Sequence, residues 1–265
     1  MISSRAGVKL LFAVTALITM AGILLPRIPQ PRSYHVFADQ RSFLGILNFA
    51  NVISNAPFAV VGLLGMVFLL RPNGERDPKI FHASRERLPY VIVFLGLVLT
   101  AIGSAYYHLN PSNATLVWDR LPMTIVFMSL VSAIIAERID PQAGLWSLPI
   151  FLLIGIGSVL QWYLSELRGA GDLRVYSAVQ AYAVIFLLIA LLLPPRFTRG
   201  SDLAIVAGFY VLAKVLEVLD KPIFEQGHFI SGHTLKHLAA AGAGYWILRM
   251  LCRRRPLPPA PASCT

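Results

Sequence analysis

Long apolar runs alternate with short polar stretches along the whole chain. Eight of these runs are long enough to cross the hydrocarbon core of a bilayer as a helix, which takes about 20 residues. They lie near residues 8–25, 44–70, 89–108, 114–136, 146–165, 173–194, 202–219 and 231–251. The first run has no small-residue cleavage site before Pro26, so we interpret it as a retained helix and not as a signal peptide. The pattern predicts an all-α polytopic membrane bundle of eight helices.

Composition agrees with a membrane protein and argues against nucleic-acid binding. Of the 265 residues, 56% are hydrophobic and 14% are charged, a balance that soluble domains very rarely show. The net charge is +10, and in the eight-helix topology one face carries about twice as many Lys and Arg residues as the other. By the positive-inside rule, this bias predicts that both termini are cytoplasmic. We expect no nucleic-acid partner and infer no obligate protein partner.

Polar residues collect towards the predicted outer face of the bundle. Ionisable residues in membrane helices are costly unless they are paired or liganded, so such a convergence indicates a functional site. The residues come from the start of the second helix, the end of the third, the start of the fourth and the start of the last, and they are Asp39, Asn48, Asn51, Asn55, Ser104, His108, Asp119, His233 and His237.

Three of these residues form a candidate zinc site. His233 and His237 are spaced i, i+4, so both imidazoles point the same way from one helix, and His108 supplies a third from another helix. Three protein nitrogens leave the fourth position of zinc open for water, which is the catalytic pattern and not the structural one. Bound zinc lowers the pKa of water and polarises a carbonyl. The H-x-x-x-H motif alone is weak, because this spacing arises often by chance.

Asp119 and Ser104 complete a hydrolytic set with the histidines. Asp119 can take a proton from water and return it to a leaving amine. Ser104 lies one turn deeper than His108 and can donate a hydrogen bond to a developing oxyanion. Each residue also has a plainer interpretation: Asp119 as a helix N-cap, Ser104 bonded back to the carbonyl of residue 100, and His108 bonded to a lipid headgroup.

Other polar residues near this end have weaker claims. His228 lies in the loop before the last helix, where we expect a gate or surface residue and not a ligand. Glu217 needs a partner inside the bundle, either Lys214 at i−3 or a histidine N–H. Asp220 is expected to be solvated and loosely paired with Lys221.

Three motifs resemble a known family. S-x-x-x-H at the end of one helix, D-R-L-P-M at the start of the next and S-G-H-T-L-K-H in the last are similar to the alkaline ceramidase family. That family belongs to the CREST group of seven-helix membrane hydrolases, and the resemblance covers about residues 34–250. It implies that Asp119 acts as acid/base, that Ser104 stabilises the oxyanion and that zinc is bound by His108, His233 and His237.

The resemblance also implies an organisation of the chain. Residues 1–30 would be an additional N-terminal transmembrane helix, 31–252 the seven-helix core, and 253–265 a disordered basic and Pro-rich tail. Eukaryotic alkaline ceramidases bind calcium through an acidic cluster with a tryptophan. The equivalent stretch here keeps Asp39 but has Asn48 at an acidic position and no tryptophan. This departure argues against calcium and leaves at most a weak second-cation site at Asp39, a space that Arg41 can fill instead.

The expected function is a zinc-dependent intramembrane amidase of sphingolipid metabolism, acting on the linear amide of a ceramide-like membrane lipid and releasing a fatty acid and a long-chain base. The alternative is a zinc-containing seven-helix lipid sensor or receptor without turnover, because signalling relatives share the three histidines. The presence of both Asp119 and Ser104 favours the enzyme. A transporter fits less well, because no inverted repeat is visible. The compact, charge-poor outer loops predict a bacterial inner membrane with the site towards the periplasmic face.

Overall fold

Ten α-helices make up most of the described chain. The computed structural model describes residues 4–71 and 80–258, and within these ranges it contains no β-strand. The helices are Ser4–Leu24 (α1), Phe49–Ile53 (α2), Ala56–Leu70 (α3), Leu88–Leu109 (α4), Asn113–Arg138 (α5), Pro141–Leu167 (α6), Arg174–Ala190 (α7), Asp202–Val218 (α8), Asp220–Gly227 (α9) and Gly232–Arg253 (α10). The all-α fold class predicted from hydropathy is confirmed.

Each predicted apolar run contains a helix, but not every helix is long enough to span a bilayer. The second run is divided into α2 and α3, and α9 is a short additional helix that hydropathy does not predict. Both α7 and α8 have 17 residues, or about 25 Å at 1.5 Å per residue, so eight crossings and the orientation of the termini remain predictions. Among the described residues, five segments are long and apolar enough to cross a membrane: residues 6–24, 49–70, 84–109, 113–138 and 141–167.

The close packing of α4 and α5 forms the centre of the bundle and positions the candidate site. Further contacts join α3 to α4, α5 to α6, and α8 to α10. Gly103 on α4 faces the backbone of Trp118 on α5, and a Cβ atom at position 103 would overlap the Trp118 carbonyl oxygen. The next residues on the two helices are Ser104 and Asp119. The absence of a side chain at Gly103 therefore lets two predicted site residues approach each other.

The first helix lies on the outside of the bundle and packs against α7. Leu11 of this helix is buried and belongs to the hydrophobic core. The guanidinium of Arg174, at the start of α7, donates a hydrogen bond of 2.6 Å to the carbonyl oxygen of Leu25, just beyond the last turn of α1. Cations at this end of a helix satisfy carbonyl groups that have no partner within the helix. The same arginine forms an ion pair of 2.8 Å with Asp172.

The beginning of the C-terminal tail is packed, which corrects the prediction that disorder starts at residue 253. Only 1% of Arg254 is exposed, because its guanidinium forms an ion pair with Glu137 and lies over three aromatic rings. Backbone hydrogen bonds also join the tail to the segment 196–198. Separating a buried ion pair leaves an uncompensated charge in the interior, which is strongly unfavourable. The ion pair and the backbone hydrogen bonds therefore hold the start of the tail against the bundle. Residues 259–265 of the predicted tail lie outside the described residues.

Candidate functional site

The three predicted histidines lie together in the structure. Each offers one ring nitrogen, and these nitrogens all lie within 4.8 Å of one another. The exposed fraction is 1% for His108, 6% for His233 and 4% for His237. A histidine buried to this extent does not contact a lipid headgroup, so the interfacial interpretation of His108 is wrong. In residues 4–71 and 80–258, no other group of His, Cys, Asp or Glu side chains has metal-site spacing.

The arrangement of the imidazoles fits a metal ion. Nε2 of His108 and Nε2 of His237 are 3.3 Å apart. Two nitrogens that bind one tetrahedral zinc at 2.0–2.1 Å are separated by about 3.3–3.4 Å. Nε2 of His233 is buried and has no hydrogen-bond partner among the described residues, a state that is costly unless the nitrogen binds something. Nitrogen donors from three neutral histidines are typical of a zinc site.

A hydrogen bond from outside the cluster orients His237. Oγ of Ser54 donates to the carbonyl oxygen of Asn51 at 3.0 Å and lies 2.7 Å from Nδ1 of His237. Because the hydroxyl proton is used on Asn51, the donor in the second bond is the Nδ1–H group of His237. This assignment leaves the lone pair of Nε2 directed into the cluster, as a metal ligand requires.

The asparagines predicted at the start of the second apolar run tie the ends of two other helices together. Nδ2 of Asn48 donates to the carbonyl oxygen of His108 at 2.9 Å. Oδ1 of Asn51 accepts a hydrogen bond of 2.9 Å from the hydroxyl of Thr234, in the first turn of α10. Asn48 adopts a left-handed backbone with φ of 49°, a conformation that asparagine tolerates better than most residues. These contacts fix the end of α4 and the start of α10 relative to each other at the site.

Asp220 anchors the start of α10 and is not a solvated residue paired with Lys221. Its Oδ1 accepts a hydrogen bond of 2.7 Å from the backbone N–H of His233, and its Oδ2 accepts one of 2.9 Å from the backbone N–H of Ala38. Lys221 pairs with Glu225 instead, at 3.7 Å. The predicted pairing is therefore wrong. The Asp220 carboxylate joins α10, the helix that carries His233 and His237, to the loop that precedes α2.

Phe37, in that loop, covers the histidine cluster. Its ring centroid is 4.6 Å from that of His108 and 4.8 Å from that of His233. Only 4% of the residue is exposed. An apolar ring in this position keeps water away from two of the imidazoles. No feature of the sequence indicated this role, because a single phenylalanine in a loop belongs to no periodic pattern.

Asp119 and Ser104 lie side by side at the edge of the cluster. Both are buried and line the same internal cavity as His237. The hydroxyl of Ser104 is within hydrogen-bonding reach of the Asp119 carboxylate. The helix that carries Asp119 begins at Asn113 and is capped by the side chain of Ser112. Asp119 therefore lies inside a helix, and its interpretation as an N-cap is wrong.

The cavity has a volume of about 330 Å³ and extends from this polar end into the apolar interior of the bundle. An apolar space with polar groups at one end suits an alkyl chain that carries a polar group. The apolar part includes side chains from α4, α5, α7, α8 and α10, among them Leu97, Leu130, Ile134, Leu187, Val206 and Ile247.

Charged residues also line the polar end of the cavity. Lys214 and Lys236 both form ion pairs with Glu217, the second at 3.2 Å. The predicted partnership of Glu217 with Lys214 is confirmed. Lys236 was not singled out from the sequence, although it lies between His233 and His237 in the motif S-G-H-T-L-K-H. A lysine in the polar first turns of a helix is expected to reach solvent. Sequence spacing does not show that Glu217, on α8, lies close enough to pair with Lys236.

Arg41 occupies the position that a second cation would take at Asp39. Its guanidinium donates to both carboxylate oxygens, at 2.8 and 2.7 Å. Burial would raise the pKa of Asp39, but the hydrogen bonds from Arg41 outweigh burial and hold that pKa below its ordinary value. Arg41 also donates to the carbonyl oxygens of His228 and Phe229. His228 itself is exposed at the end of α9, as predicted for a surface residue.

Comparison with known proteins identifies one matching family. A family model described as Ceramidase matches residues 45–252. The matched range begins after α1, ends in α10, and contains Ser104, Asp119 and the three histidines. No curated protein matches the chain.

Proposed function

Because the chain belongs to the ceramidase family, we propose that it hydrolyses the amide bond of ceramide-like N-acyl sphingoid lipids to a fatty acid and a long-chain base. Family membership implies an amidohydrolase, and helices long and apolar enough to cross a bilayer make the chain an integral membrane protein. The observation that carries the proposal is the position of Asp119 and Ser104 beside three buried histidines, at the polar end of an apolar cavity.

His108, His233 and His237 are the residues that would hold a zinc ion. Bound there, zinc supplies a Lewis acid that polarises an amide carbonyl and lowers the pKa of water. The chain contributes the orientation of the ligands. Ser54 keeps Nε2 of His237 free of a proton, and Phe37 excludes bulk water from the outer side of the cluster.

Asp119 would carry the proton transfer. A carboxylate beside the amide accepts a proton from the attacking water and returns it to the leaving nitrogen, which contributes roughly 10²–10⁴-fold to the rate. Ser104 would donate a hydrogen bond to the carbonyl oxygen as negative charge develops on it. The proximity of the two side chains supports these roles, because both have to reach the same amide group.

The shape of the cavity supports a lipid substrate. The apolar part between α4, α5, α7, α8 and α10 would hold the acyl chain, and the amide would lie at the polar end near Asp119. A volume of about 330 Å³ is within the range of small-molecule binding sites. The distribution of Lys and Arg in the sequence supports a site towards the non-cytoplasmic face of the membrane. The compact, charge-poor outer loops support a bacterial inner membrane, in which that face is periplasmic.

Metal content and hydrolysis, measured together, test the proposal. We expect stoichiometric zinc in the purified wild-type chain and fatty-acid release from a fluorescent short-chain ceramide. His233→Ala should lose both properties. His82→Ala is the matched control, because His82 is exposed and contacts Phe197 far from the cluster. Stoichiometric zinc without release from any lipid amide would favour the zinc-containing sensor, and wild-type protein that binds no zinc would contradict both functions.

A further inference from the structure

One hydrogen-bond donor in the lining of the cavity has no partner. Arg120 lines the cavity, and only 4% of the residue is exposed. Among the lining residues that the structure describes, its Nη1 is the one buried side-chain nitrogen or oxygen without a hydrogen bond. The two lysines of the lining, Lys214 and Lys236, both pair with Glu217. A buried donor that stays unpaired is costly, so a ligand that supplies an acceptor to Arg120 would be favoured.

The positive charge of Arg120 is already stabilised by its surroundings. The guanidinium lies over the rings of three aromatic residues, at 4.1, 4.6 and 5.6 Å, and these are Trp162, Tyr176 and Tyr34. Cation–π contacts of this kind stabilise a desolvated arginine. Nη2 donates a hydrogen bond of 2.7 Å to Oε1 of Gln30. The Tyr34 hydroxyl is also near the guanidinium, but it does not accept from Nη1. What Nη1 lacks is therefore an acceptor and not a counter-ion.

The neighbouring carboxylate favours an uncharged acceptor. Asp119 directly precedes Arg120, and both residues line the cavity. In the proposed reaction Asp119 has to be charged in order to accept a proton from water. A second anion brought beside this buried carboxylate would be repelled by it. A hydroxyl oxygen accepts a hydrogen bond without adding charge, so it is the better partner for Nη1.

We propose that Nη1 of Arg120 donates a hydrogen bond to a hydroxyl oxygen of the long-chain base and thereby selects lipids that carry this hydroxyl. The inference deepens the proposed function and rests on it for the class of lipid. In a sphingoid base, the carbon atoms on both sides of the amide-bearing carbon carry a hydroxyl group. With the amide nitrogen at Asp119, one of these hydroxyls comes next to Arg120. Arg120 is thus a specificity residue, and proton transfer stays with Asp119.

Binding to chelator-treated protein tests this role without catalysis. Three lipids compete with a fluorescent short-chain ceramide for the purified full chain in detergent: N-hexanoylsphinganine, its 1-deoxy analogue and its 3-deoxy analogue. We expect the wild type to bind the complete lipid about 10–100-fold more tightly than one of the two analogues, as the loss of a hydrogen bond to a charged donor would give. The analogue that binds more weakly identifies the hydroxyl that Arg120 contacts.

Arg120→Met removes the donor. This variant should bind the complete lipid no more tightly than the weaker analogue, so the preference disappears. A role for Arg120 in packing alone would weaken the binding of all three lipids equally and leave the preference intact. Arg168→Met is the matched control, because Arg168 is exposed at the end of α6 and does not line the cavity. Its preference should equal that of the wild type.

Equal affinity of the wild type for all three lipids would overturn the proposal, and this result does not depend on the folding of any variant. Binding of none of them, or an unchanged preference in Arg120→Met, would overturn it as well. Ceramide hydrolysis by the zinc-loaded wild type is scored separately. A preference without hydrolysis would contradict the proposed function alone, whereas hydrolysis without a preference would contradict the role of Arg120 alone.

Discussion

The hydroxyl of Ser54 lies 2.7 Å from Nδ1 of His237, and this contact joins the turn between α2 and α3 to the helix that carries two of the three histidines. Ser54 also donates to the carbonyl oxygen of Asn51, so its oxygen accepts a hydrogen bond from the Nδ1–H group of the imidazole. An acceptor behind a metal-binding histidine fixes the orientation of the ring and the tautomer that binds the metal. The site thus depends on a residue outside the three-histidine set.

Ser54→Ala should weaken zinc binding while the protein remains folded. The loss of such an acceptor typically lowers metal affinity about 10–100-fold. Competition with a chromogenic chelator measures the change. Ser129→Ala is the control, because Ser129 is a buried serine whose hydroxyl has no hydrogen-bond partner in the described part of the chain. Equal zinc affinities for both variants would show that Ser54 does not act on the metal site.

Asp119→Asn should slow fatty-acid release about 10²–10⁴-fold with zinc content unchanged, because an amide does not accept the proton from water. The measurement pairs single-turnover hydrolysis with metal analysis. Asp140→Asn serves as the control, since Asp140 only caps the start of α6 through a hydrogen bond from the Ala143 N–H at 2.7 Å. If Asp119→Asn instead loses zinc, the role of Asp119 is to support the metal site and not to transfer a proton.

Gly103→Ala should destabilise the bundle and reduce hydrolysis. A methyl group at this position overlaps the carbonyl oxygen of Trp118, so α4 and α5 have to separate, and overpacking of this kind costs about 1–3 kcal/mol. Separation would also move Ser104 away from Asp119. Thermal unfolding in detergent and fatty-acid release are the readouts. Gly157→Ala is the control, because a Cβ atom there meets nothing within 4 Å. Equal stability and activity of both variants would contradict the close approach.

Asp39→Asn should destabilise the protein at neutral pH more than at acidic pH. Burial would raise the pKa of Asp39, but hydrogen bonds from Arg41 hold it below 3.8. A carboxyl group with a lowered folded-state pKa contributes stability that is fully present above its unfolded value of about 3.9 and is lost as the pH falls through the folded value. The difference in thermal stability between variant and wild type should therefore shrink below about pH 4.

Glu225→Gln removes an exposed carboxylate that is loosely paired with Lys221, and it should show little effect at either pH. Differential scanning fluorimetry over a pH series compares the three proteins. A difference between Asp39→Asn and wild type that stays constant from neutral to acidic pH would contradict a stabilising role for the ion pair with Arg41.

Much of the helical architecture was predictable from local pattern. The run at 114–136 corresponds closely to α5, Asn113–Arg138, because long apolar segments in a bilayer have to satisfy their backbone hydrogen bonds within the helix. The i, i+4 spacing of His233 and His237 likewise determines that both imidazoles lie on one helix face. The convergence of His108 with this pair followed from placing polar helix ends at the same face of the bundle.

Contacts between distant segments could not be predicted in this way. Lys236 and Glu217 are 19 residues apart on different helices. Arg254, which local pattern places in a disordered tail, forms a buried ion pair with Glu137. Hydropathy and spacing establish which residues form a helix and share a face, since these properties depend on neighbouring residues. The partner of a charged side chain depends on how helices pack after the chain folds back on itself. That packing turns Lys236 into the cavity and buries Arg254.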